Sequence, residues 1–81
     1  MPMSNGPVRV RWTDHAYVKG GLLGADRASI ERAVVERHYE RQVNPGAAQW
    51  RLVTGPWAIL YDHPDGDDRT TARIVTLWRR R

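Results

Sequence analysis

The chain has 81 residues, 13 basic against 9 acidic, a formal charge of +4 and no cysteine. That length makes one domain burying roughly 60–65% of its unfolded surface, and the absence of thiols excludes a disulfide framework or thiolate metal site. No stretch approaches the ~18 apolar residues of a membrane span, and Met1–Pro7 lacks the apolar core of an ordinary signal peptide, so the expectation is a soluble cytoplasmic protein without a membrane partner.

Residues 1–7 read as a disordered start and residues 8–81 as the domain. Val8 to Trp12 alternates with period two, placing Val8, Val10 and Trp12 on one face and Arg9 and Arg11 on the other, a half-buried strand. Thr13 or Asp14 can cap a helix from about His15 to Leu23, weakened by Gly20-Gly21 and stopped at Gly24. Asp26 caps a second helix running to about Tyr39, with Ile30, Ala33 and Val34 as its inward stripe. Arg41 to Asn44 can form a short strand, and Pro45-Gly46 turns the chain.

Strands follow at 49–54 and 57–62, broken by Gly55-Pro56, and the acidic turn His63 to Asp68 leads into a last strand from Thr71 to Arg79. Strict alternation there puts Arg73, Val75, Leu77 and Arg79 on one face and Ala72, Ile74, Thr76 and Trp78 on the other. Late strands without helices between them favour antiparallel pairing. The expected fold is therefore α+β, of order β-α-α-β-β-β with a further short strand, both helices on one face of a small twisted antiparallel sheet.

Four of the nine acidic groups fall in the turn region 62–68, leaving the rest of the chain strongly basic. Twelve of the thirteen basic residues are arginine, whose planar fork matches phosphate and stacks on bases. A polyanion is the expected partner, RNA first; the alternative is an ordinary solvated face. His15 is the leading candidate for chemistry. An imidazole can take or give a proton when a 2′-hydroxyl attacks its neighbouring phosphate, and a helix start can bind that phosphate. The competing role is capping or packing of the first helix.

Lys19, at i+4 from His15, can share its face. Arg51, Arg73 and Arg79 can grip phosphate and stabilise transition-state charge; solubilising arginines are the alternative. Tyr61 is either a core tyrosine with its hydroxyl at the rim or a base and phosphate contact, and Thr76 can orient a reacting oxygen. The four tryptophans are expected to anchor the core. Pro64-Asp65-Gly66 accounts for the acidic cluster as a turn, so no metal or other cofactor is called for.

The segments Trp12-Thr-Asp-His-Ala-Tyr-Val18, Ser29-Ile-Glu-Arg-Ala-Val34 and Ala72-Arg-Ile-Val-Thr-Leu-Trp78 resemble the RelE/ParE toxin superfamily, in its short branch of domains that open with a His-Ala motif. The likeness spans about residues 8–81. It implies two N-terminal helices on a twisted antiparallel sheet, a cognate antitoxin that wraps the basic surface, and one of two activities. Many members cleave mRNA without a metal, some on the ribosome; ParE-like relatives poison DNA gyrase. The resemblance carries a catalytic role to His15, Arg51, Arg73 and Thr76. The chain departs from it at Lys19-Gly-Gly-Leu-Leu-Gly24, where relatives commonly have a basic residue and Arg-Gly. That leaves a nuclease, a gyrase inhibitor and a non-catalytic interaction domain open.

Overall fold

The computed structural model describes residues 6–46, 48–66 and 68–80. Its elements are β1 (Arg9–Trp12), α1 (Asp14–Leu22), α2 (Arg27–Glu36), a 3-10 turn (His38–Glu40), β2 (Gln42–Val43), β3 (Trp50–Thr54), β4 (Trp57–Asp62) and β5 (Thr71–Arg79). They form a small α+β fold with two N-terminal helices packed on a five-stranded sheet of order β1-β5-β4-β3-β2. No helix among the described residues is long and apolar enough to cross a membrane. Of the expected disordered start, residues 1–5 lie outside the described part, while Pro7 is fully buried and Gly6 approaches the His38 ring.

The sheet is mixed, which corrects the expectation of a wholly antiparallel one. β2 to β5 form an antiparallel meander, but β1 lies beside β5 and runs parallel to it, pairing Arg9 with Thr71 through Trp12 with Ile74. Parallel neighbours need a long crossover. Here the whole intervening chain, helices and meander together, supplies it, so the absence of helices between the late strands said nothing about β1. The β3–β4 hairpin closes through Gly55-Pro56 with Gly55 at φ 54°, the positive φ that lets a two-residue turn follow strand twist.

A second correction concerns β5. Tyr61 of β4 pairs with Ile74, yet the next residue, Leu60, pairs with Thr76. Val75 is therefore the extra residue of a β-bulge, and an extra residue inverts the alternation beyond it. Cross-strand partners share a face, so Ala72, Ile74, Leu77 and Arg79 lie on one side and Arg73, Thr76 and Trp78 on the other. The first side is the core: Ile74 and Leu77 join Leu52, Ile59, Tyr61 and Ala72 of the sheet with Ala16 of α1 and Ile30 and Val34 of α2.

Thr13 ties these features together. Its backbone N–H donates to the Ile74 carbonyl at 3.0 Å, continuing the β1–β5 ladder for one last bond. Its hydroxyl oxygen accepts the Ala16 N–H at 3.1 Å, capping α1, and donates to the bulged Val75 carbonyl at 3.2 Å. α1 ends where Gly24 takes φ 76°, and α2 stops at Glu36 rather than near Tyr39. Arg37 leaves helical geometry at φ −115°, ψ 17°, and the 3-10 turn directs His38 into the interior.

There His38 Nδ1 lies 2.8 Å from the Tyr61 hydroxyl, and its ring centroid is 5.8 Å from that of His63. His63 in turn donates from Nδ1 to the Thr71 carbonyl at 3.0 Å, which places its ring proton there. Both imidazoles are buried. Burial, with help from the positive charges of Arg41 and Arg69, lowers the pKa of His38 from an ordinary 6.5 to about 4.

Two outcomes follow from these contacts. Thr13→Ala removes the cap and leaves the Val75 carbonyl without its hydroxyl, and should cost about 1–2 kcal/mol in urea unfolding. His38 binds a proton less readily folded than unfolded, so the stability it contributes is complete above about pH 6.5 and is lost as the pH falls toward about 4. Over that window linkage amounts to at most about 3 kcal/mol. Urea midpoints measured across it should fall more steeply for the wild type than for His38→Gln, which retains a partner for the Tyr61 hydroxyl.

Candidate functional site

α1 runs along the part of β5 that β1 has left uncovered. Ala16 and Gly20 face inward; Gly20 lies so close that a methyl group there would meet the Trp12 ring at 3.5 Å and Leu77 at 3.9 Å. This approach brings the adjoining helical row, His15 and Lys19, to the sheet's other face at Thr76. Lys19 Nζ donates to Thr76 Oγ1 at 3.4 Å, and His15 Nε2 lies 3.3 Å from the same oxygen. With the ammonium on a lone pair of the hydroxyl, the hydroxyl proton is free to point at Nε2. In the tautomer protonated on Nδ1, Nε2 accepts that proton; in the other, Nε2–H donates to the second lone pair of the hydroxyl. The site is solvent-accessible: His15 is exposed and Thr76 and Lys19 are half-buried.

Register places further groups on the Thr76 face. Arg51 of β3 pairs with Leu60 of β4, which pairs with Thr76, so Arg51 stands two strands away, about 10 Å at the usual strand spacing. Arg73 lies across from Asp62 and beside Arg11. It reaches Asp62 with both arms of its fork, Nε to Oδ1 at 3.1 Å and Nη2 to Oδ2 at 2.9 Å. The bulge thus unites Arg73 with Thr76, which strict alternation had separated, but Asp62 occupies the guanidinium that was expected to hold phosphate.

The remaining candidates lie elsewhere. Arg79 shares the core side with Leu77, its guanidinium 5.6 Å from the Trp57 ring centre. Tyr61 is fully buried, and burial pushes its phenol pKa up. Its hydroxyl meets His38 instead of solvent. In the acidic turn, Asp67 lies outside the described residues, and Asp68 accepts the Thr70 N–H at 2.9 Å and the Thr70 hydroxyl, which hold its carboxyl below the usual range.

Three of the four tryptophans pack against the core: Trp12, Trp50 and Trp57. Trp12 also donates its indole N–H to Glu31 at 2.7 Å. Trp78, expected in the core as well, stands on the Thr76 face, half-buried, with the Arg51 guanidinium 6.0 Å from its ring centre. Sequence offered no signal for this, because only the bulge determines which way Trp78 points.

What the arrangement can do is place a proton acceptor, an ammonium and a hydroxyl within one phosphate's reach at the rim of an arginine-bearing sheet face. No family model matches the chain, and neither a curated protein nor a solved structure does.

The Arg73–Asp62 pair sets the charge this face offers. Asp62→Ala should release Arg73 and strengthen binding of a polyanion. The slope of log affinity against log salt should steepen by about one unit, as expected for one added phosphate contact; RNA or heparin titrations over a salt series measure it.

Proposed function

We propose that the protein is a metal-independent endoribonuclease and the toxin of a toxin–antitoxin pair, with mRNA, free or on the ribosome, as its substrate. The observation that carries this is the convergence of His15, Lys19 and Thr76 on one oxygen, on the same face as Arg51. The resemblance of the Trp12–Val18 and Ala72–Trp78 segments, which carry His15 and Thr76, to RelE/ParE toxins suggests the same reading.

In the reaction, His15 Nε2 takes the proton of a 2′-hydroxyl, whose oxygen forms a bond to the adjacent phosphorus. Lys19 and the Thr76 hydroxyl bind the non-bridging oxygens, whose negative charge grows in the transition state. The bond from phosphorus to the 5′-oxygen breaks, and that oxygen takes a proton from Lys19 or from solvent. The products are a 2′,3′-cyclic phosphate and a 5′-hydroxyl. Arg51 holds a neighbouring phosphate. Arg73, tied to Asp62, supports the face and contributes less. The cognate antitoxin would be an acidic segment covering this face, competing with RNA for the same charges.

Purified protein incubated with RNA in chelator should yield cyclic-phosphate ends. His15→Ala should lower the rate about 10²–10⁴-fold with an unchanged circular dichroism spectrum, since the exposed ring carries no core packing. Thr76→Val should lower the rate as well. Intact RNA together with a change in plasmid supercoiling in expressing cells would replace this assignment with gyrase inhibition. Unchanged RNA and supercoiling would leave a binding domain.

A further inference from the structure

The face that carries Thr76 holds an aromatic residue with no place in the core. Trp78 follows Thr76 by two positions on the same side of β5, about 7 Å along the strand, comparable with the distance from a nucleotide's base to its phosphate. Under it lies Ala58, its cross-strand partner, fully buried. Val53 and Arg51 approach from β3.

The Arg51–Trp78 separation differs from the chain's tight stacks. Arg27 lies 3.6 Å from the Tyr17 ring centre and Arg41 4.2 Å from that of Trp50, both in direct contact, whereas Arg51 stands 6.0 Å from Trp78. A planar base stacked between two planes needs about 7 Å, twice the optimal carbon–carbon contact. The Arg51 guanidinium carbon, 6.0 Å from the indole centre, ends a flexible side chain that can move outward to admit a base.

We infer that Trp78 and Arg51 form a nucleobase subsite, in which one unpaired base stacks on the indole beneath the guanidinium while its phosphate reaches Lys19, Thr76 and His15. The substrate class is single-stranded nucleic acid, because a paired base is already stacked and cannot lie flat on a sheet. This rests on the nuclease assignment for the use of the site, but the subsite itself binds whether or not cleavage occurs. The charge of the face fits a nucleic-acid occupant: Arg51 and Lys19 flank the site, and Asp62 on the same face is already engaged by Arg73.

The test uses a short single-stranded RNA bearing 2′-O-methyl groups, which 2′-hydroxyl attack cannot cut, followed by fluorescence anisotropy. Trp78→Leu should bind it roughly 5- to 100-fold more weakly, Trp78→Tyr nearly as well as wild type, and a duplex of the same sequence should bind weakly and respond little to either change. In an NMR titration of the wild-type protein, the Trp78 indole N–H should shift on adding the probe while that of Trp12 stays. This readout stands even where Trp78→Leu fails to fold. A stationary Trp78 resonance, or equal affinity of wild type and folded Trp78→Leu, overturns the subsite, even if unmodified RNA is cleaved and the nuclease assignment survives. Trp78-dependent binding without cleavage of unmodified RNA upholds the subsite and removes the nuclease.

Discussion

The hydroxyl of Thr13 is the contact on which the rest of the architecture turns. A β-bulge leaves one residue's backbone out of the regular ladder, and a carbonyl left without a partner costs about as much as a lost hydrogen bond. Thr13 supplies that partner to Val75 while its oxygen also caps α1. One side chain thereby fixes where β1 stops, where α1 starts and where β5 inverts its faces. Moving any one of the three would move His15 and Lys19 away from Thr76. The site is a consequence of this joint rather than an addition to a finished fold.

Electrostatics on the open face are graded. Asp62 is mostly shielded by its surroundings and holds Arg73 with a two-pronged contact, so one arginine of the face is neutralised in place. Among the described residues Arg51 has no such carboxylate in contact, and it lies near an aromatic ring instead. Arg51 and Lys19 supply the positive charge at the Thr76–Trp78 end of β5, and the exposed Arg11, beside Arg73, supplies it at the other end. Asp62, by engaging Arg73, removes one cation of this face from ready contact with a ligand.

Much of this was legible in the residues. Period-two alternation located β1 and β5, Thr13 and Asp26 marked the helix starts, Gly24 the stop, and the i, i+4 spacing of His15 and Lys19 put them on one face. Three things were not legible, each for a physical reason. Val75 is as good an alternating residue as a bulged one, since bulging depends on what its carbonyl meets across the sheet. The parallel seat of β1 depends on a partner that lies some sixty residues away in the chain, which local pattern does not encode. The His38–Tyr61–His63 cluster draws on the 3-10 turn, β4 and the following loop, so no spacing announces it. The sequence supports a core tyrosine at Tyr61, but not that its hydroxyl turns inward to His38 rather than to the rim.

The three histidines show how the fold sorts one side chain into different uses. His38 is sealed against Tyr61 and its charged form is suppressed by burial, so it holds the interior together as a neutral ring. His63 spends its ring proton on the Thr71 carbonyl, and its Nε2 is buried with no partner among the described residues, out of any substrate's reach. His15 alone among them is exposed, with its Nε2 directed at a hydroxyl that a lysine also contacts. Proton exchange with a bound molecule requires access and a nearby charge to steady the product, and of the three histidines only His15 has both. The case for chemistry at this rim therefore rests less on the presence of a histidine than on the removal of the other two from solvent.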